Sequence, residues 1–298
     1  MPLLRAPGGK GALQYAEGQY NEGALGGPAG EIYPIDEGIV RMLAQVDPLL
    51  ARELEAQSKA LDEYLDPKLL MPHYERDFVA RLAIDELMPA ALQQGKGLQA
   101  LDVGCGIGLL GRLYPNVGWV GLDASMTLLR KASTGYRLLI EGTAEQLPFA
   151  DSSFDVIVAL NMLHHVINPE RAMAEFARVL KPQGTLIAVD PRKVWLVEMG
   201  KKLLRSKDEA YAETHKAFTV EEYRQLLQAQ GAFNLERFER VGLLGLVGMG
   251  GFDATRLSYL LPSAERAVRG FVMLDEALFR VPGVNRGGLN LAVRATRS

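Results

Sequence analysis

One cysteine, Cys105, stands in 298 residues. That excludes an intrachain disulfide framework and any multi-thiolate metal cage. Histidine is nearly as scarce, at four. Basic residues (33) are slightly outnumbered by acidic ones (36), for a formal net charge of −3. They form no cluster, so electrostatics gives no support for a nucleic-acid partner. No apolar run reaches the length that spans a bilayer. Met1–Leu13 holds an arginine, prolines and glycines in place of an apolar signal core, so a cytoplasmic location is the expectation. Nothing in the sequence speaks to oligomeric state. Hydrophobic residues are abundant, at 48%, which supports a sizeable core.

The most informative segment runs from Leu98 to Gly108. Leu98–Val103 is apolar apart from Gln99 and Asp102, and Gly104, Gly106 and Gly108 follow at alternate positions. This pattern reads as a buried strand and a sharp turn. Glycine lets the backbone bend and lets a ligand approach with no Cβ in the way. Amides opening the next helix then face a polar or anionic ligand. A second apolar run, Trp119–Leu122, ends in Asp123. An acid about twenty residues past such a turn accepts hydrogen bonds from a ribose diol. Asp123 also precedes a helical stretch and suits an N-cap; the two roles are compatible. The spacing is Gly-x-Gly-x-Gly, which departs from the dehydrogenase fingerprint.

Further motifs follow in order: Gly121-Leu-Asp-Ala-Ser125, Glu141–Phe149, Ser153–Val158, Leu163-His-His-Val166 and Arg178–Leu186. Together they resemble class I S-adenosylmethionine-dependent methyltransferases of the small-molecule type, over about residues 75–240. The resemblance implies an α/β, doubly wound, mostly parallel seven-stranded sheet, a Rossmann-like methyltransferase fold. It implies S-adenosyl-L-methionine as cofactor. Gly104, Cys105, Gly106 and Gly108 would line its methionine part, and Asp102 would orient the turn or take the amino group. Asp123 would hold the ribose. Ala124 and Leu128 would lie against the adenine, with Thr143, Ala144 and Glu145 at its edge. Thr143 stands where the family usually has Asp, which leaves an uncharged acceptor. Asn161 would face the sulfonium end through its carbonyl. Cys105 reads as a packing residue rather than a nucleophile.

Residues 1–40 are rich in Gly and Pro and suggest a small β-rich element. Their ending, Tyr33-Pro-Ile-Asp-Glu-Gly-Ile39, resembles that of a zinc-ribbon module. The four metal positions of that module fall on Ala6, Gly9, Gly26 and Ala29, which cannot ligate. The resemblance therefore implies a degenerate ribbon without zinc, and an irregular tail is the other reading. Residues 41–95 read as a helical linker and cap: a helix over Val40–Leu65, restarted at Pro48, and a second over Tyr74–Leu87. Tyr74 suits either a place near the cofactor or ordinary packing. Residues 96–298 are the cofactor-binding domain, with strands expected at 98–103, 118–123, 136–141, 154–160, 184–190, Phe233–Val241 and Leu289–Ala295. Helices are expected at 108–113, 125–133 and 169–180. Insertions at 191–218 and 242–288 exceed the minimal fold. The second is apolar and glycine-rich, which suits a lid over the substrate end or packing on the sheet.

The sulfonium is already a strong methyl donor, so alignment is the main requirement. A base helps when the acceptor is a hydroxyl. His164 and His165 are the adjacent titratable pair near the expected methyl position, and one or both also suit capping or packing. The expectation is methyl transfer to a small, apolar or aromatic acceptor, with no metal. The alternatives are an RNA methyltransferase, which the absent basic patch disfavours, and a cofactor-binding regulatory protein without transfer activity.

Overall fold

The computed structural model describes residues 3–16, 23–43, 46–90, 97–132, 134–194, 217–242, 256–281 and 283–298. A single sheet organises them. Its strands are β1 (Gln14–Ala16), β2 (Ala24–Gly26), β3 (Ile32–Asp36), β4 (Ile39–Arg41), β5 (Ala100–Val103), β6 (Trp119–Asp123), β7 (Tyr136–Glu141), β8 (Phe154–Leu160), β9 (Leu180–Pro191), β10 (Phe233–Val241) and β11 (Asn290–Arg297). Their order is β1-β2-β3-β4-β7-β6-β5-β8-β9-β11-β10. From β7 to β9 neighbours run parallel, and β11 pairs antiparallel with both β9 and β10. Strand order reverses beside β5, so the loops after β5 and β8 open onto one crevice.

Among the described residues the sheet has eleven strands, not seven. The additional four come from the N-terminus. β1–β4 form an antiparallel meander, and β4 adds in parallel to the edge of β7 through Ile39–Leu139 and Val40–Ile140. This corrects the helix expected from Val40. Val40 and Ile39 are buried strand residues, and the helix starts at Pro48, where Asp47 accepts a hydrogen bond from the Leu49 amide at 2.8 Å. The apolar spacing that runs back from Pro48 has no cap to begin a helix earlier.

Alternate residues along each strand serve opposite faces. Leu101, Val103, Ile157, Ala159, Leu186 and Ala188 join one core with Phe176 and Tyr223. Ala100, Val156, Val158, Ile187 and Val189 join the other with Tyr74, Ile84, Leu87 and Val268. The first face is covered by helices Pro169–Val179 and Val220–Gln228. The second is covered by Met71–Leu87, which runs on through wide turns at Glu75–Ala80 and Leu82–Leu87, and by Ala264–Phe279. Tyr74 is thus a core residue. It stacks on Phe78 at 4.9 Å and accepts from the Asn290 side chain at 3.0 Å.

Residues 195–216 and 243–255, including most of the first expected insertion and the glycine-rich start of the second, lie outside the described residues. The described remainder packs beside the second core. Arg256 donates to Glu63 at 2.5 Å, and Tyr259 donates to Asp66, which ties this segment to the end of helix Pro48–Leu65. Among the described residues no helix is long and apolar enough to cross a membrane.

Phe154 is fully buried and meets the Phe149 ring edge-on at 4.8 Å. Phe154→Ala should cost about 3–5 kcal/mol of stability, the transfer and cavity cost of a deleted core aromatic. Denaturant unfolding at neutral pH measures it.

Candidate active site

Gly104 and Cys105 both donate their amides to the Leu122 carbonyl, at 2.8 and 3.1 Å, which folds the turn after β5 back onto β6. All three glycines of the turn have positive φ, of 70°, 52° and 78°. Two of them also answer a packing demand. A Cβ on Gly104 would lie 2.6 Å from that of Met162, and one on Gly108 would lie 2.8 Å from the Ala132 backbone. At Gly106 a Cβ would meet nothing within 4 Å. The turn is therefore packed at both ends and open in the middle, which is where a ligand can lie against the backbone. Cys105 packs with Ile39 and Leu129 in a small buried cluster, and burial pushes its thiol well above the usual range.

Asp123 faces that opening. Its Oδ2 accepts from the Gly106 amide at 2.9 Å and its Oδ1 from the Ser125 amide at 2.8 Å. Burial raises its pKa, while these amides and nearby His165 pull it back. Asp102, one strand over, is buried and raised to about 7 by desolvation, with a further push from Asp123. The Tyr136 hydroxyl donates to Asp102 at 2.5 Å and opposes that shift. Tyr136 reaches Asp102 across β6 because Gly121 leaves room, since a Cβ there would lie 2.8 Å from the Tyr136 ring. Sequence reasoning missed Tyr136: at the start of β7 it looks like any strand aromatic.

The remaining residues expected at the cofactor gather at the same strand ends. Ser125 caps helix Met126–Leu129 through the Leu128 amide at 3.3 Å, with Ala124 half-buried before it. The Gly142 amide donates to the Asp123 carbonyl at 2.9 Å, which brings Thr143 and buried Ala144 beside the acid. Glu145 turns away and accepts from the Asn168 amide at 3.1 Å, bracing the start of helix Pro169–Val179. Asn161 has a positive φ of 49° at the end of β8. Its Nδ2 donates to Glu75 Oε1 at 2.6 Å. Burial raises the Glu75 carboxyl to about 7.

The two histidines part company. His164 is 5% exposed, and its Nδ1 lies 2.9 Å from Asp190, which also accepts from the Tyr223 hydroxyl at 2.8 Å. Asp190 is fully buried and raised to about 7. His165 is partly exposed, and its Nδ1 lies 2.7 Å from Glu53, on helix Pro48–Leu65. Ser58 of the same helix reaches Thr127 at 3.4 Å, so this helix leans over the strand ends. Asp190 carries the signal that singled out Asp102 and Asp123, an acid closing an apolar strand. Glu53 and Glu75 carry none, because each sits on a helix far away in sequence.

Comparisons with known proteins bear on the fold that carries these residues. A family described as a methyltransferase domain matches residues 101–188, from β5 into β9. A solved S-adenosylmethionine-dependent methyltransferase of Thermotoga maritima, described as a possible histamine N-methyltransferase, superposes with a TM-score of 0.55 at 21% identity. It covers 82% of this chain and 99% of its own. The fold is that of an S-adenosylmethionine-dependent methyltransferase. An uncharacterized methyltransferase of Mycobacterium tuberculosis is 35% identical over 42% of this chain and 53% of its own length. The demethylmenaquinone methyltransferase of Renibacterium salmoninarum is 38% identical over 32% of this chain and 41% of its own. The chain thus spans about half the length or less of these curated relatives.

Within this methyltransferase fold, Tyr136→Phe should raise the Asp102 pKa further, because the lost donor favours the charged form. It should also cost about 1–3 kcal/mol of stability. The cost should be larger above about pH 7, where the carboxylate is charged, than below it. Carboxyl titration by NMR and unfolding at two pH values check both.

Proposed function

We propose that the protein is an S-adenosylmethionine-dependent methyltransferase acting on a small apolar or aromatic acceptor. The observation that carries this is the open middle of the Gly104–Gly108 turn facing the buried Asp123 carboxylate. That arrangement suits a nucleoside: a carboxylate for the ribose diol, half-buried Ala124 and Leu128 for the base, and Asp102 for an ammonium group. When bound, S-adenosylmethionine supplies an electrophilic methyl. The chain's own task is to align the acceptor, exclude water and take up a proton where the acceptor carries one.

His165 suits the last role better than His164, whose ring is locked to Asp190 inside the core. Glu53 accepts from His165 Nδ1 at 2.7 Å and so fixes the orientation of the ring. Ile167, two residues on, and Leu49, one turn before Glu53, expose apolar side chains beside the pair. With the quinone-directed name of one relative, this supports an apolar acceptor. The N-terminal meander reads as a ribbon that has given up its metal, since Ala6, Gly9, Gly26 and Ala29 offer no donor. Its use here is to extend the sheet beyond β7.

Calorimetry with S-adenosylhomocysteine tests the cofactor reading. Asp123→Ala should weaken binding by about 1.5–3 kcal/mol, roughly ten- to 150-fold. Unchanged affinity in a folded variant refutes the ribose assignment. His165→Gln and Glu53→Gln should each slow transfer to a hydroxylated aromatic acceptor, the former by about 10²–10⁴-fold. Equal rates in all three proteins would remove the base.

A further inference from the structure

The geometry points to Glu75 as the residue that fixes which face of the Asn161 carboxamide is shown to the cofactor, an inference that rests on the cofactor reading above. Glu75 comes from the helix before β5, and no motif marks it. Its Oε1 lies 2.6 Å from Asn161 Nδ2. An ionised carboxylate only accepts hydrogen bonds, so it takes the NH₂ side and leaves Oδ1 as the atom Asn161 has to offer. The next residue, Met162, covers Gly104, so Asn161 sits beside the turn at the end expected to hold the methionine part. A carboxamide oxygen there favours a positive sulfonium, and an NH₂ group opposes it. Protonated Glu75 becomes a donor, and the preference of the amide reverses. Glu75 is therefore a positioning residue that acts through Asn161 and tunes the site for the charged methyl donor over its neutral product.

Burial lifts the Glu75 carboxyl to about 7, and the Asn161 bond opposes that lift, which puts the reversal near neutrality. The charged neighbours on its own helix are occupied with each other. Arg76 pairs with Asp77 at 2.7 Å and reaches Glu265 at 3.5 Å, while Arg81 and Arg269 also hold Asp77 down. His73 faces the Pro67 carbonyl and Arg76. Helix Ala264–Phe279 contributes Glu265, Arg269 and buried Asp275, which together with Glu75 bears on Tyr74. Helix Leu109–Leu113 contributes exposed Arg112. On the strand-end side stand Asp102, held by Tyr136, and the His164–Asp190 and His165–Glu53 pairs. Asp102 and Asp190 titrate in the same range as Glu75, so substitution at Glu75 is the necessary control.

The test is calorimetric and needs no acceptor. Affinities for S-adenosylmethionine and S-adenosylhomocysteine are measured from about pH 6 to about pH 8, and their ratio is followed, since groups the two ligands share largely cancel. The ratio should move toward S-adenosylmethionine by about two- to tenfold as pH rises, the worth of one hydrogen-bond-scale contact. Glu75→Gln, close in shape and neutral throughout, should give a flat ratio. Asn161→Gly, which suits the positive φ and removes the amide, should also be flat. A pH-dependent ratio that persists in Glu75→Gln overturns the assignment. One that persists in Asn161→Gly replaces the amide by a direct action of the Glu75 charge and overturns the positioning role. A flat ratio in the unsubstituted protein with normal S-adenosylhomocysteine binding sinks the role of Glu75 alone. Failure of both ligands to bind at every pH removes the cofactor reading, and this inference with it.

Discussion

Two carboxylates close neighbouring strands at the centre of the sheet, and much of the local architecture exists to make their burial tolerable. Asp123 lies near enough to Asp102 to oppose its ionisation, in a place where desolvation already penalises charge at both. Asp123 is answered by two backbone amides, one of which belongs to the very turn that opens toward the ligand. Asp102 is answered by a phenol from the far side of β6. The glycine at 121 is the condition for that contact, since any side chain there would push the Tyr136 ring away from the acid. Remove the turn, the glycine or the phenol, and the cost of the buried charge rises. A nucleoside with hydroxyls and an ammonium group would satisfy the same carboxylates from the open side.

The same constraint recurs farther along the crevice. Asp190 is fully buried at the end of β9, and its partners His164 and Tyr223 come from a short loop and from a helix on the outer face. Glu75 is lifted by burial and meets an amide. These groups share a physical type: acids near strand ends or on a helix facing them, short of water, each held by a few hydrogen-bond donors. For an acid with a raised folded pKa, the folded state holds its proton over a wider range than the unfolded state. Stability contributed by the protonated acid is then lost as pH climbs from the unfolded value toward about 7. A bound cation returns part of that loss, so occupancy and stability are coupled through the same side chains.

Helix Pro48–Leu65 has a place in this scheme that its amphipathic pattern does not reveal. It supplies Glu53 to His165, touches Thr127 near the expected adenine side, and receives Arg256 and Tyr259 from the segment before β11. The N-terminal strands extend the sheet past β7. Of these elements, the helix reaches the strand ends through Glu53 and Ser58.

Strand periodicity, the glycine turn and the acids closing β5 and β6 were legible in the sequence because each is a local pattern. Burial on both faces writes apolar runs, a sharp turn writes glycine, and the acid follows the run it ends. The strands at 136–141, 154–160 and 233–241 appear at those bounds, and the apolar run is clearest at 154–160, which is buried almost throughout. The start of the first helix was misread, since spacing alone does not show where a cap begins a helix. The edge pairing of β4 with β7 was invisible because about a hundred residues separate the partners. Glu53 and Glu75 were invisible for the same cause: a carboxylate on an amphipathic helix looks solvated until the tertiary structure turns it inward. The histidine pair shows the division most clearly. Two adjacent residues are chemically identical in the sequence, and only the fold sends one ring into the core against Asp190 and the other to the rim against Glu53, because consecutive side chains in a tight turn point to different surroundings.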